Sequence, residues 1–240
     1  MGIRERRQRE VAGREQRFLG AARDLIRQDG LLNLQMSKVA EKCDYAVGTL
    51  YQHFVSKEDL LVALATDEAQ ERVDMFQRVH DWRASTRERM IGFAVADMLY
   101  ARRNPGHFRL FQFALTEVVW GAAPASRRQA CLDANAPLRQ LTLALIDEAV
   151  RKGDLDLRGL RPDEVCLAPW AMAFGMHSIM HTEGLLEHHE VREPYHLMLR
   201  HLSELLNGLG WKPLADPMNH AAFDALAERI CKEVLHEYVC

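Results

Sequence analysis

EKCDYAVGTLYQHFVSKEDLL, residues 41–61, places a glycine, a threonine, two tyrosines and a histidine within the nine positions from Tyr45 to His53 and follows them at once with a helix-start signal. A buried helix has no use for so many polar tips, and a loop has no use for Leu50, Phe54 and Val55 among them. The pattern asks for a partner outside the chain. Ser37 caps a short helix through Cys43, residues 44–46 interrupt it, and a second short helix runs over 47–53. Ser56 and Asp59 then form the S-x-x-D capping pattern, with Val55 and Leu60 as its hydrophobic staple. Upstream, Phe18, Ala22, Leu25 and Ile26 recur at i, i+4, i+7 and i+8, the apolar face of a first helix over 16–28, with Gly30 beyond its end.

Two short helices separated by a tight break make a helix-turn-helix, whose second member lies in a DNA major groove. Leu50 and Phe54, spaced i, i+4, anchor that member inward against Val39 and the Phe18/Leu25 face. Thr49, Tyr51 and His53 then point elsewhere, and Gly48 lets the backbone come close to a phosphate or base edge. Lys57 stands in the first turn of the next helix, where free N–H groups already favour an anion.

Helical spacing continues to the C-terminus, and no β-branched run is bounded by turn signals as strands require, so the expected class is all-α. Helices are expected over 56–82, 86–103, 105–120, 136–152, 162–183, 193–208 and 217–237; whether 125–135 extends the fourth through Pro137 is open. Ser85 with Glu88, and prolines at 162, 194 and 217, mark starts, while Gly153, Gly184 and Gly208 mark stops. The helix from Ser56 is expected to bridge a small N-terminal domain and a larger second one. The expected division is a basic arm at 1–14, a helix-turn-helix domain at 15–62 and a second domain at 63–240.

Charge follows the same division. The 240 residues carry a formal charge of −3, but residues 1–60 hold 11 Lys/Arg against 9 Asp/Glu, a net of +2, which leaves −5 for the remainder. Six arginines against three glutamates fall in the first 17 residues, so Arg4, Arg6, Arg7 and Arg9 are candidates for an adjacent minor groove. Five scattered cysteines without CxxC spacing argue against a disulfide framework and a zinc ribbon, and fit a reducing cytoplasm. The basic N-terminus lacks the apolar core of a signal peptide. The longest apolar run, residues 165–180, contains Pro169, His177 and Ser178 and falls short of the roughly 20 residues of a membrane span, so a buried helix is expected there and no membrane partner.

From Phe18 to Leu61, with Ala21-Ala22, Gly30, Val39-Ala40 and above all GTLYQHFVSKEDLL, the chain resembles the DNA-binding domain of the tetracycline-repressor (TetR) family of bacterial transcriptional regulators. The resemblance implies that Val47, Gly48 and Thr49 face bases or sugars and that Tyr51, His53 and Lys57 meet backbone phosphates. It further implies a C-terminal helical domain that binds a ligand and dimerises, through a four-helix bundle for which residues 162–183 and 193–208 are the best matches. Where the family has Ala-Gly-Val in the turn, this chain reads Cys43-Asp44-Tyr45. Aspartate tolerates the left-handed turn, and Tyr45 either packs at the domain edge or adds its own DNA contact. Gln35 and Lys38 are further candidates for base reading, alongside Thr49 and apolar contact with thymine methyls.

The second domain holds aromatic and methionine side chains around a few polar ones, which describes an adaptable apolar pocket and an ordinary core alike. The candidate ligand contacts are Phe93, Asp97, Met98, Phe111, Gln112, Trp120, Trp170, Phe174 and His177, and the expected effector is a hydrophobic or amphipathic small molecule. No cofactor and no metal are expected. The expected whole is a non-enzymatic regulator, a repressor that binds a palindromic double-stranded operator as a homodimer and is released by that effector. The alternatives are a metal- or redox-responsive regulator using His177 and His181 or the cysteines, and an all-α metal-dependent enzyme; no nucleophile–base pair supports the last.

Overall fold

Helix α1, Ile3–Asp29, starts well before the expected residue 16. The extension is written in arginine, glutamate and glutamine, all good helix formers, and it is closed locally. The Gly2 amide donates to Glu5 Oε2 at 3.1 Å and Arg6 pairs with Glu10 at 3.0 Å. What looked like an arm is therefore helix. The computed structural model describes residues 2–67, 69–216 and 218–237, without the side chains of residues 3, 4 and 8; Arg4 and Pro217 thus lie outside what is described. Every regular element among these residues is helical.

Two compact units emerge, Met1–Glu68 with Leu110–Asp133 and Ala69–Arg109 with Ala134–Cys240. In the first, α1 is followed by α2 (Met36–Lys42), α3 (Val47–Tyr51) and α4 (Lys57–Thr66). Phe18, Ala22, Val39, Leu50, Phe54, Leu60 and Leu64 are each wholly buried, so the i, i+4 anchors of α3 meet the α1 face as their spacing requires. Gln35 rather than Ser37 precedes α2. Ser56 Oγ accepts from the Asp59 amide at 3.2 Å, and Asp59 Oδ2 accepts from the Val55 amide at 2.9 Å. Val55 itself is 65% exposed, so the expected staple onto Leu60 is absent.

The buried Asp59 carboxylate also takes a 2.7 Å bond from Arg127 Nε, whose Nη1 reaches Glu15 Oε1 at 3.1 Å while its guanidinium lies 5.3 Å from the Phe54 ring centre. Arg127 stands near the start of α9 (Ala125–Lys152), which carries Pro137 in its interior and answers the open question about 125–135. The helix expected over 105–120 is two, α7 (Pro105–Ala114) and α8 (Glu117–Ala122), because Thr116 turns extended and donates through Oγ1 to the Phe113 carbonyl at 2.7 Å. Both α7 and α9 contribute residues to both units. The single helix expected over 56–82 is likewise two segments, α4 and α5 (Ala69–Asp81), either side of residue 68. Near the end of α4, Asp67 takes bonds from Gln16 Nε2 at 2.9 Å and from Arg23.

The second unit is built around α6 (Thr86–Arg103), whose residues from Met90 to Ala101 are all buried. Its N-terminus carries the full Ser85–Glu88 capping box. Gly92 lets α5 approach, since a Cβ there would stand 2.6 Å from Val79 Cγ1, and Phe76 stacks on Phe93 at 4.7 Å. The remaining helices are α10 (Pro162–Met180), α11 (Leu185–His188), α12 (Pro194–Gly208) and α13 (His220–Arg229), the last continuing as a π-helical turn, Ile230–Leu235. Gly153 and Gly184 take the positive φ expected of stops, but after α12 that task falls to Gly210 rather than Gly208. Buried Arg87 donates to the carbonyls of Trp211 and Ser203 at 2.7 and 2.9 Å, tying α6 to α12 and the turn after it. Cys231 is disulfide-bonded, although the count and spacing of the cysteines argued against a disulfide framework.

Glu148 on α9 receives hydrogen bonds from Lys152 and Arg89; the Lys152 bond leads, against burial that pushes the other way, and the carboxyl is held down at about 2. Its folded value lies below the unfolded one of about 4.3, so its stabilisation is complete above that pH and is lost as pH falls toward 2. Glu148→Gln should lower stability at neutral pH by about 1–2 kcal/mol, a partly exposed group giving less than the full shift implies. Urea titrations should show the gap between the two proteins closing between about pH 5 and pH 2.

Candidate nucleic-acid interface

The α2 helix ends in a turn that only a few residue types close. Asp44 sits at φ 58, in the left-handed region that aspartate tolerates, and the Tyr45 amide donates back to the Ala40 carbonyl at 3.0 Å. The turn directs α3 outward. Leu50 is buried on one side, while Val47 is 37% and Tyr51 47% exposed on the other. Gly48 is exposed, and a Cβ built on it meets nothing within 4 Å, so no internal packing requires a glycine there. Thr49 is half-buried at the rim.

Tyr45 and His53 flank Phe18, each edge-on at 5.4 Å between ring centres. Both are half-buried, so Tyr45 packs at the domain edge and still presents an open side. Lys57 Nζ donates to the Leu32 carbonyl at 3.0 Å, which holds the ammonium beside the N-terminus of α4. Lys38 is exposed and pairs with Asp29 at 3.3 Å. Tyr45, Val47, Gly48, Thr49, Tyr51 and His53 thus belong to one short helix and the turns on either side of it, with Lys38 on the preceding helix and Lys57 on the next.

Sequence reasoning missed the shape beside this face. Arg6, Arg9, Arg14 and Arg17 of α1, with Glu10, border a concavity of about 820 Å³ that Tyr45 closes at one end. Helical spacing of the arginines was the available signal, since 6, 9/10, 13/14 and 17 fall on one face. A basic concavity that ends at Tyr45 suits a polyanionic backbone. Deleting residues 1–9 should flatten the plot of log affinity against log salt for DNA by about 0.9 per lost phosphate contact. An unchanged slope would show that α1 extends into solvent alone.

The expected ligand residues divide between the units. Phe111, Gln112 and Trp120 belong to the first, Phe111 and Gln112 nearly buried. In the second, Phe93, Asp97, Met98 and His177 are buried, whereas Trp170 is 46% exposed and tilts against Phe174 at 5.5 Å. Asp97 is bound by a residue the sequence reading passed over: Arg72 donates to its Oδ1 through Nε at 3.1 Å and Nη2 at 2.9 Å. Arg72 interrupts the buried stripe Ala69, Met75, Phe76 and Val79 of α5, and a charge in an apolar stripe is a legible sign of a buried counter-ion.

Residues 165–180, expected to be a buried helix, expose part of their apolar surface. Leu167, Trp170 and Ile179 are 55%, 46% and 39% exposed, while Val165, Ala173 and His177 face inward. On α12, Leu199, Leu202 and Leu206 are core and Leu197 and Leu205 half-buried. Among the described residues no three His, Cys, Asp or Glu converge to hold a metal, and no helix is long and apolar enough to cross a membrane. Burial pushes the Cys43 and Cys166 thiols up, the opposite of a reactive thiolate.

Residues 18–64 match the family model described as bacterial regulatory proteins, tetR family. Over 61 residues the chain is 33% identical to the HTH-type transcriptional regulator UidR of Escherichia coli, covering 25% of this chain and 31% of UidR. It is 46% identical over 61 residues to the HTH-type transcriptional repressor KstR of Rhodococcus jostii, covering 25% of this chain and 28% of KstR. The match therefore spans under a third of either relative. The fold likeness is wider: the structure of the transcriptional regulator FadR from Bacillus subtilis, in complex with stearoyl-CoA, superimposes with a TM-score of 0.55 at 14% identity over 90% of this chain and 96% of FadR.

Proposed function

We propose that the chain, whose residues 18–64 match the tetR family of bacterial regulatory proteins, is a cytoplasmic one-component repressor that binds a palindromic operator as a homodimer and is released by a small apolar or amphipathic effector. The single observation that carries the DNA-binding reading is the outward face of α3, where Val47 and Tyr51 are exposed, Gly48 is open, and Leu50 secures the helix from behind. One such helix reads only a few base pairs, so a two-fold pair on half-sites about 34–36 Å apart, or multiples of that, supplies the rest of the specificity. The exposed apolar side of α10 supports a second copy as the partner, since a monomer rarely leaves such a patch bare.

Release follows as a population shift. An effector that binds about 100-fold better to a dimer whose α3 helices are wrongly spaced supplies roughly 2.7 kcal/mol against operator binding. The buried Arg72–Asp97 pair and His177 among aromatic and methionine side chains support a ligand core there, and the FadR complex shows that a protein of similar fold holds an acyl-CoA. The test is selection of bound duplexes from a random pool, repeated with cell extract. Recovery of a two-fold symmetric sequence that the extract dissolves supports the proposal; a protein that retains no duplex at low salt would sink it.

A further inference from the structure

Within the second unit, the histidine that α10 turns inward is left without a hydrogen-bond partner. His177 is fully buried, and neither of its ring nitrogens has a hydrogen-bond partner; Nε2 of His181, one turn on, is also buried and unpartnered. Two rings flank His177, Phe108 at 4.6 Å and Tyr195 at 5.9 Å between centres. Met176 and Met180 pack partly buried against the same core. Nearby, Arg72 and Asp97 neutralise each other with side chains only 7% and 11% exposed, and the guanidinium lies 5.7 Å from the Tyr100 ring centre and 6.0 Å from that of Phe108.

Buried polar atoms left unmade are rare enough in folded proteins that each needs an occupant or another explanation. Burial, only partly offset by Asp97, pulls the His177 imidazole below its ordinary value, so at neutral pH it carries one N–H donor and one bare acceptor. A carboxylate can only accept and an ammonium can only donate, whereas a hydroxyl does both and suits either ring nitrogen in either tautomer. Asp97 beside it already takes two bonds from Arg72, and a charged head group brought into this apolar core would carry its own desolvation cost.

Building on the regulator reading above, we propose that His177 is the polar anchor of the effector site and that the effector is an uncharged, mainly apolar alcohol or phenol whose hydroxyl bonds a His177 ring nitrogen between Phe108 and Tyr195. The aromatic and methionine neighbours take the apolar body, and the bond at His177 selects the head group. His181 Nε2 offers a second point for a further hydroxyl or a bound water.

Three probes that share one tail separate these chemistries: 4-hexylphenol, hexylbenzene and 4-hexylbenzoate, titrated calorimetrically into the full chain. The phenol should bind about tenfold or more tightly than either of the others, the order expected of one buried hydrogen bond. That advantage should vanish in His177→Phe. On the wild type, saturation with the phenol should move the ¹⁵N resonances of the His177 ring, a readout that needs no variant. Equal binding by all three, preference for the benzoate, absence of binding, a phenol advantage that survives His177→Phe, or ring resonances that stay still at saturation would each overturn the proposal, the last leaving His177 to a buried water. Binding of the selected duplex, followed by fluorescence anisotropy in the same samples, keeps the two readings apart. A phenol preference in a protein that binds no duplex defeats the regulator reading alone, and duplex binding without the preference defeats the anchor alone.

Discussion

Asp97→Ala is expected to destabilise the protein by about 3–5 kcal/mol, because it removes the carboxylate that accepts two bonds from the buried Arg72 guanidinium. Arg72 is 6% exposed and Asp97 8%, and both bonds from the guanidinium fall on one carboxylate oxygen. Attraction between the two charges offsets their desolvation only while both are present. The double replacement Arg72→Met with Asp97→Leu should accordingly recover most of the loss, since apolar side chains of similar volume need no compensation in a core formed by Phe76, Phe93 and Met98. Urea denaturation of the wild type, the single variant and the double variant gives the comparison. A single-variant loss below about 1 kcal/mol would mean that water reaches the guanidinium, and the pair would then count as a surface one.

Gly48→Ala should weaken operator binding by about 10–100-fold while leaving the fold as stable as before or slightly more so. The two halves of that expectation come from different facts. The new methyl meets no protein atom within 4 Å, and glycine to alanine inside a helix is favourable by up to about 1 kcal/mol. Only an external surface in close approach would object to it. Tyr51→Ala, at a 47% exposed position, should weaken DNA binding in the same direction without disturbing Leu50 or Phe54 behind it. Anisotropy titrations on the selected duplex, paired with melting curves, decide. Wild-type affinity in Gly48→Ala would mean that no DNA lies against this side of α3.

The helical class and the three-helix head were legible because their signals are local. Capping at Ser56 and Ser85, the anchors Leu50 and Phe54, and the turn at Asp44 each depend on residues within a few positions of one another. Where the reading failed, distant partners had intervened. Val55 is exposed, while its amide is capped by Asp59, which Arg127 holds from 68 residues away. Residues 1–14 looked like an arm because charge was weighed above propensity, whereas helix runs from Ile3, with Glu5 and Glu10 making its local contacts.

Local grammar, then, was enough for the class of fold and for the face of α3, since a helix of five residues shows its two sides through i, i+4 spacing alone. The composition of the ligand core was not accessible in that way. Asp97 and His177 stood out as odd polar residues in apolar helices, but that Arg72 balances one while the other is left unpaired depends on helices brought together across 25 to 105 positions of chain. Nor could periodicity tell the core leucines of α12 from the exposed Leu167 and Ile179 of α10, because the hydrophobic effect writes the same stripe for a core and for an interface. Which side of a stripe meets its own chain is set by how neighbouring helices pack, and that is a property of the folded assembly of contacts rather than of any one segment.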